Sequence, residues 1–226
     1  MNEDATARLT NNINPNNILE SISTLGLNRY HLGCGTIILR DWLNIGYWQH
    51  LEPFGLYKDP TGIANTFMLN HDLTSGIPAS NNSLDAVYHA HMLEHLSYTD
   101  GISFLNEVYR VLKPGAIHRI VVPDLRAFVM AYLDNSSILL KKYKEEALSN
   151  NSEIYETNGS IFMGMLHNHG HKMGWDYETL EFCLKRSGFS DIRQTLYQES
   201  SMADIVHMEP YSPLRALESL CIECRK

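Results

Sequence analysis

Apolar and polar residues follow one another in short blocks that predict strands separated by helices. YHLGCG, residues 30–35, is an apolar run that stops at glycines, as a strand entering a tight turn does. WLNIGYW and SLDAVYHA are two further strand candidates. IHRIVVPD is almost continuously apolar, which is typical of a strand buried in a parallel sheet.

Helical spacing appears between these strand candidates. Apolar residues recur every three or four positions from Thr99 to Leu112, and the sequence KPG ends this predicted helix. A second helix is predicted to begin after Asp176 and to end at Gly188, which are typical capping residues. A short apolar helix is also predicted over Ile18–Leu25.

This order divides the chain into three parts. We interpret residues 1–28 as an N-terminal tail or lid helix and residues 29–226 as one domain. Within that domain, residues of about 125–175 are helix-prone and then Asn-rich, and we interpret them as a lid insertion. FSDIRQTLYQ and LESLCIECRK are predicted to close the chain as a late antiparallel pair. Strands alternating with helices indicate an α/β fold with a doubly wound sheet, whose ligands bind beyond the carboxyl ends of the strands.

The amino-acid composition limits the classes of partner that the chain is expected to bind. A net charge of −8 disfavours nucleic acid, which requires a basic surface. The sequence has no apolar run of about 18 residues and no signal peptide at its polar start, so we expect neither a membrane partner nor secretion, and a cytoplasmic location. A small-molecule substrate is expected, and a homodimer is one option for the oligomeric state. Cys221 and Cys224 form a CxxC, but on a strand they would point to opposite faces, so we expect no metal there.

Histidines are concentrated at two places. YHAHMLEHL contains His89, His91, Glu94 and His95, a density that is typical of metal sites, and HNHGHK contains three more histidines. A metal held by His91, Glu94 and His95, with His169 or His171 as a distant fourth ligand, is one interpretation. We favour structural and pocket roles instead, and we predict no metal.

Three segments in the same order resemble a known family. HLGCGTIILRDWLNI, HDLTSGIPASNNSLDAVYHAHMLEHL and EVYRVLKPGAIHRIVVPD are similar to the motifs of class I S-adenosylmethionine-dependent methyltransferases, specifically the small single-domain type 11-like members. The resemblance runs from about Tyr30 to Cys224 apart from the insertion. It implies a Rossmann-like, mostly parallel seven-stranded sheet with flanking helices, a late antiparallel strand and a helical lid insertion, and it implies S-adenosylmethionine as the cofactor.

The resemblance also implies a set of cofactor-binding residues. The glycine turn would lie against the amino-acid and ribose portion, Asp72 would accept a hydrogen bond from the adenine amine, and His89 would flank the methionine end. The implied residues are Gly33, Cys34, Gly35, Gly46, Asp72, Leu73 and His89. Gly46 departs from the family pattern, which has a ribose-binding acid there. Either another group holds the ribose, or the affinity is lower, or the cofactor has an altered pose; Tyr47 and Trp48 could help by stacking.

Acceptor residues are expected at the second histidine cluster and at the end of the first. A hydroxyl acceptor requires a base near neutral pH, and histidine is suited to that role. The catalytic candidates are His91, His169, His171 and Tyr177, and the substrate-binding candidates are Tyr132, Trp175 and Tyr177. By the same resemblance, Glu94 and His95 are expected to cap or anchor the following helix.

The predicted function is transfer of a methyl group from S-adenosylmethionine to an oxygen or nitrogen of a small molecule, such as a natural product or a sugar. Two alternatives remain open. The same scaffold could cyclise S-adenosylmethionine to azetidine-2-carboxylate and release methylthioadenosine, or it could be a non-catalytic relative that binds a partner through its acidic surface.

Overall fold

The computed structural model describes residues 17–51, 55–58, 65–134, 136–149 and 155–226. Most of the predicted N-terminal tail, residues 1–16, lies outside the described part of the chain, so the interpretation of that tail stays a prediction.

The described strands form one sheet with parallel strands at its centre. Their bounds are β1 Arg29–Leu32, β2 Leu43–Gly46, β3 Leu56–Lys58, β4 Phe67–Asn70, β5 Leu84–Ala90, β6 Leu112–Pro123, β7 Ser190–Thr195 and β8 Ser219–Arg225. The spatial order is β3-β4-β2-β1-β5-β6-β8-β7. Strands β4, β2, β1, β5 and β6 pair in parallel, whereas β8 is antiparallel to both β6 and β7. This confirms the predicted α/β, doubly wound architecture and its late antiparallel strand.

One strand was not expected. The described sheet has eight strands rather than seven, because β3 pairs antiparallel with β4 at the edge. It contains only three residues, of which Leu56 and Tyr57 are buried, so it is too short to show an alternating pattern.

Eight helices lie within the described ranges. Their bounds are α1 Ile18–Ser23, α2 Tyr98–Val111, α3 Leu125–Leu133, α4 Ile138–Ser149, α5 Asn158–His167, α6 Tyr177–Ser187, α7 Ile205–Met208 and α8 Pro213–Glu218. The predicted caps of α6 are confirmed: the Asp176 side chain accepts a hydrogen bond from the Thr179 amide, and Gly188 ends the helix in the left-handed conformation. The longest helix in the described part, α2, has 14 residues, so none of them is long enough to cross a bilayer.

Apolar side chains cover both faces of the sheet. The largest cluster joins the sheet to α2 and α6, and a second cluster lies on the opposite face around Trp42 and Tyr88. Cys224 belongs to the first cluster and Cys221 to the second, which confirms that the two cysteines point to opposite faces. Both cysteines are buried and form no disulfide.

Helices α3, α4 and α5, which fall in the segment interpreted as an insertion, form a lobe with its own small core. The lobe starts and ends at the sheet, where the Leu125 amide donates to the Trp175 carbonyl over 2.9 Å. The Lys172 amide donates to the Glu94 carbonyl over 2.8 Å, which ties the end of the lobe to the turn after β5. The lobe is therefore held beside the carboxyl ends of β5 and β6.

Candidate functional site

The turn after β1 leaves room for a ligand beside its second glycine. Gly33 and Gly35 both have positive φ angles, 67° and 54°, which glycine adopts without steric cost. A Cβ atom on Gly33 would collide with Met92, whereas a Cβ atom on Gly35 would meet nothing within 4 Å. Cys34 is buried, and its amide donates to the Ile45 carbonyl of β2. The turn therefore presents backbone to open space, as close approach of a cofactor requires.

Asp72 and Leu73 follow β4, two strands away from β1 at the same edge of the sheet. Asp72 is exposed, and its Oδ1 accepts hydrogen bonds from the Thr74 amide over 2.9 Å and from the Thr74 hydroxyl over 2.8 Å. Among the described residues, Oδ2 has no hydrogen bond. Asp72 thus caps a short turn and still offers one oxygen to a donor such as the exocyclic amine of adenine.

The absence of a side chain at position 46 is explained by the neighbouring ring of Trp48. A Cβ atom on Gly46 would lie 2.5 Å from the indole ring of Trp48, so the ring occupies the space that a side chain at position 46 would take. Trp48 is fixed by Asn70, whose side chain accepts from the Trp48 amide over 2.8 Å and donates to the Trp48 carbonyl over 3.1 Å. An acid at position 46 and this placement of Trp48 exclude each other.

The position of His89 differs from the one expected. Its side chain is fully buried between α2 and β6, with ring centroids 5.3 Å from Phe104 and 5.1 Å from His118. Burial lowers the pKa of His89 to about 3, so the ring is neutral. Because its side chain is enclosed, His89 is a core residue whose imidazole cannot reach a ligand.

A cavity of about 800 Å³ lies between the turn after β5, the lobe and α8. Its polar lining residues are His91, Glu94, His95, Tyr143, Glu146, Tyr155, Asn168, His169, His171, Ser212, Arg215 and Glu218. The volume is within the range of small-molecule pockets. The two histidine clusters of the sequence therefore meet at one cavity.

Glu94, His95 and His171 form the tightest group in this cavity. One ligand atom from each lies within 4.8 Å of the others. His171 Nδ1 is 2.6 Å from the Met165 carbonyl oxygen, so this nitrogen donates and Nε2 faces other partners. Burial lowers the pKa of His95, and the neighbouring Glu94 opposes that shift. Two imidazoles thus stand beside a buried carboxylate.

His91 lies at the rim of the group in an unusual backbone conformation. Its φ angle of 50° is in the left-handed region, which is uncommon for residues other than glycine and is often found at functional sites. Arg215 Nη1 lies 2.7 Å from Nδ1 of His91 and 2.8 Å from Glu218 Oε1. The same nitrogen lies 2.8 Å from Nε2 of His91, so the guanidinium of Arg215 contacts both ring nitrogens.

Three sequence-predicted residues lie away from the cavity wall. Trp175 is completely buried in the main core, where it packs on Tyr98. Tyr132 is half-exposed and stacks on Phe162, and the Tyr177 hydroxyl donates to Glu181 over 2.9 Å. None of the three residues lines the cavity, so no contact with it supports their predicted substrate roles.

Helix α2 is not capped by Glu94 or His95, the two residues expected at its start. The Ser97 hydroxyl oxygen accepts from the Asp100 amide over 3.2 Å, so Ser97, not Glu94 or His95, caps the helix. The carboxylate and imidazole are consequently free to face the cavity.

Sequence reasoning missed Tyr143, Arg215 and Glu218 as cavity residues. Glu218 is almost fully buried and accepts hydrogen bonds from the hydroxyl of Tyr143 and from Arg215. Arg215 and Glu218 lie on α8, only three residues apart, which is a common spacing on any helix surface. Nothing in the sequence distinguishes them from an ordinary surface pair.

The turn after β5 links the glycine turn to the cavity. Met92 packs against Gly33, and two residues later Glu94 lines the cavity. Both features lie at the carboxyl ends of β1 and β5, where doubly wound sheets bind ligands.

Comparison with known proteins finds a match in the part of the chain that contains the glycine turn. Residues 31–120 match the family model described as "Methyltransferase domain". No curated protein sequence matches the chain.

Three solved structures are similar at low identity. An S-adenosylmethionine-dependent methyltransferase from Archaeoglobus fulgidus is 14% identical over 92% of both chains, with a TM-score of 0.49. One from Mesorhizobium loti is also 14% identical, over 92% of this chain and 96% of that chain, with a TM-score of 0.49. One from Thermotoga maritima, described as a possible histamine N-methyltransferase, is 17% identical over 92% and 87%, with a TM-score of 0.48.

The residues present are compatible with S-adenosylmethionine, the cofactor that the sequence resemblance implies. Gly35 has open space beside it, and Asp72, two strands away in the sheet, has a carboxylate oxygen free of hydrogen bonds among the described residues. Residues 31–120 are therefore similar to a methyltransferase domain, and the site at the ends of β1 and β4 has room for such a ligand.

Proposed function

We propose that the protein transfers a methyl group to an oxygen or nitrogen of a small molecule bound in the 800 Å³ cavity, as a cytoplasmic enzyme of natural-product or sugar biosynthesis. The observation that carries this proposal is the adjacency of the glycine turn and the cavity through the contact of Gly33 with Met92. An acceptor in the cavity would have its nucleophile beside the methyl group, and such positioning supplies much of the catalysis in group transfer.

Cofactor binding is assigned to the residues at the ends of β1, β2 and β4. When bound, S-adenosylmethionine supplies a methyl group that is activated by a sulfonium and leaves as S-adenosylhomocysteine. Gly33, Cys34 and Gly35 would hold its amino-acid and ribose portion, and Asp72 with Leu73 would hold the adenine. The ring of Trp48 occupies the space that the ribose-binding acid would take at position 46. It would offer the cofactor an aromatic surface to pack against.

Proton removal is assigned to His171. Its Nδ1 donates to the Met165 carbonyl, which fixes the ring and leaves the lone pair of Nε2 available. Glu94 stands nearby and would stabilise the imidazolium that forms when Nε2 takes a proton from a hydroxyl acceptor. His91 and His169 also line the cavity and would orient the acceptor through hydrogen bonds.

The cavity favours methyl transfer over cyclisation. Cyclisation of S-adenosylmethionine needs a closed pocket and no space for an acceptor, whereas a volume of about 800 Å³ beside the glycine turn accommodates a second molecule. The net charge of −8 remains the only feature that supports a non-catalytic partner-binding role.

Product analysis by mass spectrometry tests the proposal. The purified chain is incubated with S-adenosylmethionine, alone and with a panel of phenols, sugars and amines. We expect S-adenosylhomocysteine and a methylated product only when an acceptor is present. Methylthioadenosine formed without any acceptor would contradict methyl transfer and support cyclisation.

Variants test the assignment of the base. We expect His171→Ala to lower kcat about 100-fold for a hydroxyl acceptor, which is the usual loss on removal of a general base. His167→Ala, an exposed histidine on the same lobe that is outside the cavity lining, is the matched control and should keep kcat unchanged. Equal kcat values for the two variants would exclude His171 as the base.

A further inference from the structure

We propose that Glu94, His95 and His171 form a binding site for a divalent transition-metal ion at the wall of the cavity. One carboxylate and two imidazoles are a ligand set that proteins use for zinc and iron(II) sites with open coordination positions. The catalytic use of such an ion rests on the proposed function, whereas binding of the ion does not.

Glu94 is the residue that points most directly to a cation. Its side chain is only 2% exposed, and among the residues that the structure describes neither of its oxygens accepts a hydrogen bond. His91 Nδ1 lies 3.3 Å from Oε1 as an ion-pair contact without a hydrogen bond. A buried carboxylate without donors costs free energy, and a bound cation would offset that cost.

Both imidazoles are oriented as metal-binding histidines usually are. In such sites the nitrogen that does not bind the metal donates to a backbone carbonyl or a carboxylate, which fixes the tautomer. His171 Nδ1 donates to the Met165 carbonyl, and His95 has a hydrogen bond with the backbone of His169. Each ring therefore keeps one lone pair for another partner.

Distances and charge agree with a shared ion. Two ligands bonded at about 2.1 Å to one tetrahedral ion are about 3.4 Å apart. The ligand atoms here lie within 4.8 Å of one another, so a closure of up to about 1.4 Å brings them to that separation. Among the cavity-lining residues that the structure describes, Arg215 is ion-paired with Glu218, which leaves the carboxylate of Glu94 without an arginine or lysine partner.

The site has vacant coordination positions for an acceptor, because the three ligands face an open cavity. An ion bound there would coordinate a hydroxyl of the acceptor and lower its pKa, and the proton would leave to solvent through the cavity. In that state the lone pair of His171 Nε2 would hold the ion rather than take the proton. The substrates that the site selects would carry a hydroxyl or a pair of oxygens able to bind the ion.

Metal titration of the full chain tests the site. The purified protein is dialysed against EDTA, and binding of Zn²⁺ and Co²⁺ is measured by calorimetry and by the visible absorption of bound Co²⁺. Glu94→Gln and His171→Ala remove ligands, and His167→Ala, from the same lobe, is the control. Far-ultraviolet circular dichroism and thermal melting establish that each variant is folded.

We expect one ion per chain for the wild type and for His167→Ala, and affinities about 100-fold weaker for both ligand variants. Binding that is equally tight in the wild type and in folded His171→Ala would overturn the site, and so would the absence of binding to the wild type. The affinity for S-adenosylmethionine is measured in the same samples. Metal binding without cofactor binding would reject the proposed function and leave the metal site standing, whereas cofactor binding without metal binding would do the reverse.

Discussion

Gly35 and Gly46 are both glycines near strand ends, but different physical constraints act on them. Gly35 has a positive φ angle and open space beside it, so a side chain there would occupy the approach of a ligand. Gly46 has no positive φ angle, and it is required by the indole ring of Trp48. The first glycine leaves room for a ligand, whereas the second leaves room for the indole ring of Trp48.

Gly35→Ala separates cofactor binding from backbone strain. We expect a loss of about 1 kcal/mol in stability, because alanine is disfavoured at this φ angle, and a Kd for S-adenosylmethionine at least ten-fold higher. Gly115→Ala is the matched control, since Gly115 has a φ angle of 80° and also has open space beside it, but lies at the start of β6. Denaturation and calorimetry measure both quantities. Equal effects of the two substitutions on Kd would contradict the role of Gly35.

A double-mutant cycle tests the contact between Gly46 and Trp48. Gly46→Ala should be destabilising in the wild type, because its Cβ would lie 2.5 Å from the ring, and nearly neutral in a Trp48→Ala background. We expect a coupling free energy of about 1–2 kcal/mol from urea denaturation. Additive effects would mean that the ring does not occupy this space.

Among the elements, α8 delivers Arg215 and Glu218 to the cavity, and a buried ion pair fixes the segment that leads to it. Arg119 on β6 and Glu209 form this pair over 2.8 Å, and both side chains are completely buried. Arg119 also donates to the Glu199 carbonyl, and Glu209 accepts from the Gln198 amide. The irregular chain between β7 and α8 is therefore pinned to the sheet.

Glu209→Gln should lower the stability of the fold, because it disrupts this buried ion pair. The substitution leaves the Arg119 charge buried without its partner, so we expect a loss of about 3–5 kcal/mol in the free energy of unfolding. Arg193→Ala removes an exposed ion pair with Asp191 and a longer contact of 3.9 Å with Glu223, whose carboxylate keeps its hydrogen bonds from Ser200 and Ser201, and should cost no more than about 1 kcal/mol. Similar losses for both variants in urea denaturation would contradict the importance of the buried pair.

The sequence predicted elements well where the pattern is local and poorly where tertiary packing decides. The caps of α6 and the run of β6 are visible because capping residues and apolar runs act within a few positions. The three-residue strand β3 is stabilised by pairing with β4, so no local pattern marks it. Glu94 was assigned to a helix cap because its neighbours in sequence suggest one, whereas its contacts are with residues about 80 positions away.

Across the whole molecule, the described chain buries several histidines in a neutral state. His89 and His118 have no hydrogen-bond partners for their ring nitrogens within the described residues, and both rings lie in the core. Burial lowers the pKa of His31 to about 4 and the pKa of His89 to about 3, and lowers that of His118 well below 6.5.

Acid should therefore destabilise the fold before carboxylates titrate. Below pH 6.5 these histidines bind protons in the unfolded chain, whereas their buried rings stay neutral in the folded chain. The free energy of unfolding therefore falls as pH decreases. Each histidine contributes about 1.4 kcal/mol per pH unit between its two pKa values. Urea denaturation between pH 7 and pH 5 measures the slope, and His118→Leu should reduce it. A stability that is constant over this range would contradict the neutral, buried state.

A crystal structure of the full chain with S-adenosylhomocysteine tests the central claim most directly. The account predicts that the ligand lies on the turn from Gly33 to Gly35 with its adenine amine at Asp72. It also predicts that the sulfur faces the cavity lined by His91, Glu94 and His171. A ligand whose sulfur points away from this cavity, or one that binds elsewhere on the protein, would contradict the account.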